Sequence, residues 1–388
     1  MSRGIRAVAG PERCISATSM PFPRWIVSLR FLSHLKSPKV WWELLGSQQG
    51  ATLSRLARII VVAALGLAAM AAEARAQPAL VLVEENDALV SQRDYGYTQG
   101  FLAALAFNDF FNKSFVDDLI GGLVVTLGAP PGPARRQFNW VVGQSIFTPE
   151  NLKLVPPDPN DRPYAGWLYT GFSLAQETAG VQLDSFEFLG GVVGPAAGGK
   201  TVQCGFHSAL GQSCPTGWSY QLKNEPAFLA AWERRWKFGV EYVDGFGADI
   251  VPSLGATVGN VYTYASAGAL LRFGRSLSST WGPTRVRPAP SGASFFSPNP
   301  QGPAWGFAFF AGAEGRAVGY NVFLEGNTFV SSPSVNHQVF VADLVAGAEI
   351  FTQYGSRVAF TVTKRTQEFS SQPGGGDLFG SIEARVQF

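Results

Sequence analysis

Hydrophobic and polar residues alternate along most of the chain from residue 77 onward, and the C-terminal segment shows this most clearly. Its apolar positions are Ile382, Ala384, Val386 and Phe388, and its polar positions are Ser381, Glu383, Arg385 and Gln387. A β-strand places successive side chains on opposite faces, so this pattern predicts a strand between an apolar and a polar environment. Outer-membrane barrels also commonly end on an aromatic residue, as this chain does.

Similar segments of ten or more residues recur, separated by turn-rich clusters. We predict strands at 80–90, 96–107, 136–147, 164–176, 181–194, 225–236, 239–254, 260–274, 304–326, 337–353, 357–368 and 377–388. An even number of strands returns both ends of a single-chain barrel to the same side of the membrane. The pattern therefore predicts an all-β fold, a twelve-stranded antiparallel transmembrane β-barrel.

The predicted strand order assigns each connection to one side of the membrane. If the first strand runs outward, the loops around 88–95, 148–163, 195–224, 327–336 and 369–376 lie outside the cell. The short turns at 177–180 and 354–356 then face the periplasm, together with two long connections at roughly 108–135 and 275–303. Long connections on that side run against the usual preference for short periplasmic turns.

The composition supports a barrel and excludes several other classes. Only 15% of the residues are charged, against about 25% in soluble domains, and 46% are hydrophobic. The chain has 44 glycines and 30 phenylalanines, with apolar residues spread thinly along its length. This profile excludes a disordered chain, a helical membrane protein and a nucleic-acid-binding protein with a basic face. A soluble β-sandwich is the alternative fold, although such domains rarely carry so little charge.

An apolar run near the N-terminus is too short to span a bilayer. It covers 14 residues, 59–72, whereas a transmembrane helix needs about 20. Arg55 and Arg58 precede it and Ala74-Arg75-Ala76 follows, which is typical of a secretory signal peptide cleaved before Gln77. A buried helix of a soluble domain is the alternative interpretation.

These features divide the chain into three parts. We interpret residues 1–54 as an over-extended N-terminus, 55–76 as the signal peptide and 77–388 as the barrel. The segment from 77 onward carries 20 Lys and Arg against 25 Asp and Glu. The formal charge of +2 for the whole chain is therefore no argument for a nucleic-acid partner. We expect a monomer in the outer membrane.

Histidines are rare after residue 76, where only His207 and His337 occur. His337 opens a predicted strand and is interpreted as a rim residue. His207 follows Gln203 by four positions in a glycine-rich outer loop, so the two share a face if 199–211 is helical. In the same loop, Cys204 and Cys214 would meet an oxidising compartment, but their spacing alone does not decide whether they form a disulfide.

Further polar residues are predicted at the same outer rim. Asn86 and Asp87 close the first strand, Thr98 opens the second, and Asp161-Arg162 opens the fourth. Carboxylate and carbonyl oxygens suit a hard cation such as Ca²⁺, and a histidine can remove a proton from water. The rim residues therefore predict a hydrolytic site, although polar side chains at a rim are also ordinary hydrogen-bonding groups of loops.

Several sequence blocks, in order, resemble the lipid A 3′-O-deacylase (LpxR) family. They are Glu85-Asn86-Asp87, Tyr97-Thr98-Gln99-Gly100, Asp161 to Trp167, Gly194-Pro195 leading to Gln203 and His207, Gly217-Trp218, Asn224-Glu225-Pro226, and Gly259-Asn260 with Thr263-Tyr264-Ala265. The resemblance implies a calcium-dependent esterase near the outer leaflet that acts on lipid A of lipopolysaccharide. It implies that His207 is the base, that Asp87 binds calcium, and that Asn86, Thr98 and Gln203 complete the catalytic set. It also relates Lys153 to a substrate-binding lysine.

One position departs from the family pattern. An acidic calcium ligand is expected about six residues after the histidine, where Ser213 stands instead. Glu225 or a backbone carbonyl would then have to replace it. An outer-membrane phospholipase and a catalytically silent barrel of the same fold are the alternative functions.

Overall fold

The computed structural model describes residues 78–91, 96–108, 115–209, 211–286, 295–299 and 301–388. The predicted signal peptide and the residues before it lie outside this part of the chain. Within the described ranges, no helix is long and apolar enough to cross a membrane.

The described strands form one closed antiparallel sheet. They are β1 (Pro78–Asn86), β2 (Gly96–Asn108), β3 (Ala134–Thr148), β4 (Ala165–Thr178), β5 (Gln182–Val193), β6 (Glu225–Trp236), β7 (Phe238–Glu241), β8 (Phe246–Gly259), β9 (Tyr262–Arg275), β10 (Trp305–Asn321), β11 (Phe340–Thr352), β12 (Arg357–Arg365) and β13 (Leu378–Gln387). Except for β6 and β7, neighbours in sequence pair with each other, β1 pairs with β13, and β6 pairs with β8. The predicted barrel is confirmed.

β6 and β7 are two parts of a single barrel strand. β6 pairs with residues 253–259 of β8 and β7 with residues 247–250, and only Lys237 separates the two parts. The barrel therefore has twelve strands, as predicted. The prediction of a seventh strand at 239–254 was wrong at both ends, because the chain turns at Val243–Gly245 and the strand continues to Gly259.

The two ends of the barrel differ in what they carry. Pro78 and Gln387 lie together at one end, which we call the terminal end, and the opposite end is the distal end. The connection containing α1 (Phe115–Thr126) and the connection from β9 to β10 are at the terminal end, as predicted. α2 (Gly199–Ala209) and α3 (Val322–Glu325) belong to distal loops.

Side chains alternate between the outer wall and the lumen. In β13, Ile382 and Val386 are exposed on the outer wall, whereas Glu383 and Arg385 are buried in the lumen. Exposed apolar side chains continue this surface around the barrel at Phe172, Phe188, Phe228, Leu271, Phe309 and Phe360. An apolar exterior around a polar interior is the arrangement that a lipid bilayer requires of a barrel.

Residues 276–286, which we call the plug, leave the terminal end and turn back into the lumen. The indole N–H of Trp281 donates to Glu177 over 2.8 Å, and the backbone N–H of Thr284 donates to Glu383 over 2.7 Å. The backbone N–H of Val286 donates to Glu85, the next-to-last residue of β1, over 3.1 Å. The long connection at this end is thus accommodated inside the barrel.

Paired charges fill the lumen around the plug. Asp343 accepts hydrogen bonds from Arg316 and Arg365 of the wall, each at 2.9 Å, and from Arg285 of the plug at 3.0 Å. Arg272 and Asp249 form a further pair at 2.5 Å. Buried charges are tolerated when they are paired in this way. Within the described residues, the lumen is therefore a packed polar core.

Aromatic residues cover this polar core at the distal end. Phe323 of α3 stacks on Phe147, with ring centroids 4.1 Å apart, and lies 5.4 Å from Tyr262. Trp167 joins the same cluster, 6.2 Å from Phe323. Each of these side chains is buried. These rings close the lumen at the distal end, and polar residues at this end that face outward lie on the other side of the wall.

Candidate active site

A row of residues crosses the outer wall where β1 to β4 reach the distal end. Asn86 is opposite Gln99, Gln99 is opposite Ile146, and Ile146 is opposite Gly166. Glu85 points into the lumen, where it accepts a hydrogen bond from the plug. Because successive side chains of a strand point to opposite faces, Asn86 and the residues in its row face the outer wall.

A β-bulge in β2 places Thr98 on this outer face. Tyr97 pairs with Phe147 and Gln99 with Ile146, which leaves Thr98 as the extra residue. Tyr97 turns into the lumen, while the hydroxyl of Thr98 lies 2.7 Å from that of Thr148. Bulges commonly redirect a side chain next to a functional site.

Asn86 and Asp87 form the start of a 3₁₀ turn that ends β1. The side-chain oxygen of Asn86 accepts a hydrogen bond from the N–H of Ala88 over 2.8 Å. The backbone carbonyl of Asp87 accepts a hydrogen bond from the N–H of Ser91 over 2.8 Å. Both side chains are buried. The turn therefore fixes one amide and one carboxylate next to the Thr98 bulge.

Helix α2 and the residues before it pack against the same outer wall. Gln144, an outward-facing residue of β3, donates from its side-chain amide to the carbonyl of Ala197 over 2.6 Å. A Cβ atom on Gly166 would lie 3.3 Å from the Cβ of Ala197 and 3.3 Å from the backbone nitrogen of Gly199. Glycine at position 166 therefore allows the helix backbone to approach the strand closely.

Apolar side chains fill the contact between the wall and α2. Ile146, Tyr164 and Trp218 are buried together, and Leu152 and Val202 pack against them. The ring centroids of Tyr164 and Trp218 are 5.0 Å apart. This cluster holds α2 over β3 and β4, beside the Asn86 turn and the Thr98 bulge.

Gln203 and His207 lie on the buried face of α2. The helix spans Gly199–Ala209, so the prediction that the two residues share a face is confirmed. Gln203 accepts a hydrogen bond from the indole N–H of Trp218 over 2.9 Å. Nδ1 of His207 lies 2.8 Å from the backbone carbonyl of Ser213. A carbonyl only accepts, so Nδ1 carries the proton and Nε2 keeps its lone pair when the ring is neutral.

Cys204 and Cys214 form a disulfide, which the sequence alone left open. Their Cα atoms are 4.6 Å apart and ten positions separate them in the chain. Each cysteine directly follows a residue of interest, since Cys204 comes after Gln203 and Cys214 after Ser213. The bond therefore joins α2 to the segment that contacts His207.

A buried charged cluster supports the bulge from the lumen side. Asp377 accepts a hydrogen bond from the backbone N–H of Tyr97 over 3.2 Å, and Arg162 lies 3.7 Å from Asp377 and 3.2 Å from Glu368. Burial, and then the charge of Glu368, raise the pKa of Asp377 to about 6, while Arg162 and Arg365 act in the opposite direction.

Lys153 lies apart from these buried groups. It is exposed in the loop between β3 and β4, beside exposed Leu154 and Val155. The loop is attached to the α2 region because the backbone N–H of Thr216 donates to the carbonyl of Leu152 over 3.1 Å. Lys153 therefore extends from the distal rim, next to apolar side chains that face outward.

Two other candidates have local structural roles. The carboxylate of Glu225 accepts hydrogen bonds from the backbone N–H groups of Thr328 and Phe329, over 3.1 and 3.2 Å. His337 lies 3.2 Å from Glu325 and 3.3 Å from the carbonyl of Val318. Glu225 thus stabilises a distal loop, and His337 is a rim residue as predicted.

A family model described as outer membrane protein LpxR matches residues 57–388. The chain belongs to the LpxR family. It is therefore an outer-membrane enzyme of the class that modifies lipid A. No curated protein sequence matches the chain.

The solved structure of a family member agrees with the fold described here. LpxR from Salmonella typhimurium has 19% sequence identity and a TM-score of 0.64, over 80% of this chain and 100% of that one. The β-domain of the Bordetella autotransporter BrkA has 10% identity and a TM-score of 0.38, over 81% and 98% of the two chains. At 19% identity, the first match shows a shared barrel architecture.

The oxygen atoms beside the Thr98 bulge are of the chemical types that bind calcium. Asp87 supplies a carboxylate, and Asn86 and the backbone carbonyls of the turn supply neutral oxygens, which are the ligands that calcium prefers. Within the described part of the chain, no three His, Cys, Asp or Glu side chains are grouped to hold a metal. Because affinity for calcium rises with the number of charged ligands, these residues fit a weakly bound ion.

The structure adds residues that the sequence did not single out as part of the site. Thr148 contacts Thr98 only because of the bulge, which has no sequence signal of its own. Trp218 stands in a family block, but its bond to Gln203 depends on how the connection between β5 and β6 folds back on itself. The partner of His207 is a backbone carbonyl, so the identity of Ser213 carries no signal for it.

Proposed function

We propose that this protein hydrolyses the ester that joins the 3′-linked acyloxyacyl chain to lipid A. The supporting observation is the position of the candidate residues. Asn86, Thr98 and Thr148 face the outer side of the wall at the distal end, beside the region that α2 covers. This is the side of the wall that a membrane lipid contacts, whereas a site in the packed lumen would be closed to it.

His207 is the general base in this proposal. Nε2 takes a proton from water, and the resulting hydroxide adds to the ester carbonyl carbon. The tetrahedral intermediate then collapses, the bond from the acyl carbon to the 3′ oxygen breaks, and the protonated imidazole returns its proton to that oxygen. The products are a free acyloxyacyl acid and lipid A with a 3′ hydroxyl group.

The neighbouring residues orient water and substrate. The amide of Asn86 and the hydroxyl of Thr98 offer hydrogen bonds on the side of the wall from which the ester arrives. Gln203, held by Trp218, fixes the face of α2 that carries His207. Lys153 binds a phosphate group of lipid A as a point charge, because its exposed ammonium extends from the rim.

Asp87, with the neutral oxygens of its turn, is the proposed calcium ligand. When bound, the ion would supply positive charge close to the ester oxygen, where negative charge develops during hydrolysis. The single carboxylate predicts that activity requires more calcium than a site with several acidic ligands would need.

The test is mass spectrometry of lipid A from cells that express the protein or its His207→Ala variant. Loss of one acyloxyacyl unit with the parent, and its retention with the variant, is the expected result, because general base catalysis contributes about 10²–10⁴-fold. His337→Ala is the matched control and should retain full activity. Unchanged lipid A with a correctly assembled parent protein would favour a phospholipase or a silent barrel.

Calcium removal gives a separate prediction. We expect purified protein to lose deacylation in a calcium chelator and to recover it when calcium is added back. Asp87→Asn should shift the calcium concentration for half-maximal activity upward, measured by titration of the metal. Deacylation that persists in chelator would keep the esterase and eliminate the role of Asp87 as a ligand.

A further inference from the structure

We propose that the disulfide between Cys204 and Cys214 is a positioning element for His207, so that hydrolysis depends on the oxidation state of this pair. The inference rests on the proposed function for its kinetic consequence. Its structural content, the contact between His207 and Ser213, can be tested without any substrate.

The histidine contacts a backbone atom that only the chain itself can hold in place. Nδ1 of His207 lies 2.8 Å from the carbonyl of Ser213. A carboxylate side chain could reach a histidine from a range of backbone positions, because it has rotatable bonds. A backbone carbonyl has no such freedom, so the path of residues 211–214 decides whether the hydrogen bond forms.

The other described backbone hydrogen bonds of this region lie on either side of the Ser213 carbonyl: the N–H of Gly211 donates to the carbonyl of Ser208 over 3.2 Å, and the N–H of Thr216 donates to that of Leu152 over 3.1 Å. α2 ends at Ala209, and residues 211–214 are exposed. The N–H of Gln212 donates to the carbonyl of His207 over 2.8 Å, which begins the turn but does not orient the peptide after Ser213. The disulfide is a covalent link from Cys214, the next residue, back to Cys204 on the helix that carries His207.

The hydrogen bond matters chemically because it selects the form of the imidazole. A proton held on Nδ1 leaves Nε2 as the base, and the carbonyl dipole stabilises the imidazolium that forms when Nε2 takes a proton. Loss of the contact allows the ring to rotate or to exchange tautomers. The base would then be correctly arranged for only part of the time.

The pair is accessible to chemical reduction. Cys204 is half-buried and Cys214 is exposed. A dithiol such as dithiothreitol would reduce the protein disulfide to two cysteine thiols while it is itself oxidised to a cyclic disulfide. The outer membrane faces oxidising surroundings in which the bond persists.

The kinetic test compares the parent with a Cys204→Ser/Cys214→Ser double variant, on lipid A in detergent, with and without dithiothreitol. We expect kcat to fall at least about tenfold in the double variant and in the reduced parent, with little change in KM, because the base and not the binding surface is affected. Dithiothreitol should not alter the double variant further. Equal kcat in the oxidised parent and the double variant would overturn the proposal.

A second readout separates this inference from the proposed reaction. Nitrogen-15 NMR of labelled histidines reports the tautomer of His207, assigned by the signal that disappears in His207→Asn. We expect a fixed Nδ1–H form in the oxidised parent and an averaged signal after reduction, with the barrel intact by its thermal unfolding. An unchanged tautomer after reduction would overturn the positioning role, and an inactive parent with the expected NMR change would overturn only the proposed reaction.

Discussion

Thr98 occupies the bulge of β2, and its hydroxyl lies 2.7 Å from that of Thr148. The pair shares one hydrogen bond on the outer wall, which fixes the direction in which the Thr98 hydroxyl points. A rotamer held in this way is ready to bind water or substrate without further ordering. The partner threonine is therefore as much a part of the candidate site as Thr98 itself.

Thr148→Val tests this role, because valine keeps the shape of threonine and removes the hydroxyl. We expect kcat for deacylation to fall by about tenfold, the cost of roughly one hydrogen bond to a positioning group. Thr170→Val, on the same outer wall but away from the distal end, is the matched control. Equal loss of activity in both variants would indicate a general effect on the wall.

Asp377 gives the bulge a dependence on pH. Its pKa is about 6 in the folded protein against an ordinary value of 3.8, so the folded state holds a proton more readily than the unfolded state. The stabilisation that follows is complete below about pH 4 and is lost as the pH rises through about 6.

Hydrogen exchange of the Tyr97 amide, which donates to Asp377, measures this dependence. After correction for intrinsic rates, we expect stronger protection at pH 5 than at pH 8. Asp377→Asn should remove most of that difference, since the amide does not titrate. The same pH dependence in parent and variant would assign it to another group.

At the scale of elements, the plug is attached to the wall where β6 and β7 are interrupted. The ammonium of Lys237 lies 4.2 Å from the centre of the Trp281 ring and donates to the carbonyls of Leu277 and Ser278 over 3.3 and 3.1 Å. One side chain thus connects the break in the strand to the start of the plug.

Lys237→Ala should loosen the plug and leave the barrel wall intact. We expect brief openings in planar bilayer recordings, whereas the parent should conduct no measurable current because its lumen is packed. Lys200→Ala, at an exposed position of α2, is the control. If the variant conducts no more current than the parent, the lumenal ion pairs hold the plug in place without Lys237.

The sequence predicted elements well where one rule governs a whole segment. Strands with one face toward lipid repeat every second residue, and this period located β13 and most other strands. It failed near β7 because the alternation continues through the turn at Val243–Gly245. The plug has no regular alternation of hydrophobic and polar residues, because its partners are lumenal charges that belong to distant strands.

At the scale of the whole molecule, the candidate site combines predictable and unpredictable parts. The spacing of Gln203 and His207 follows from helix geometry and was predicted. Their location on the outer wall depends on how the loop after β5 folds over Gly166, which no local pattern indicates. The partner of Nδ1 of His207 is a main-chain atom, and such partners leave no trace in residue identities.

The outer-wall location of Asn86 and Thr98 also determines how enzyme and substrate meet. The candidate site and the lipid substrate lie in the same membrane leaflet. Enzyme and substrate therefore meet by lateral diffusion in two dimensions. The rate should then follow the mole fraction of lipid A in the surface and not its bulk concentration. Added inert detergent or phospholipid would slow the reaction by surface dilution, even when the amounts of enzyme and substrate in the tube stay the same.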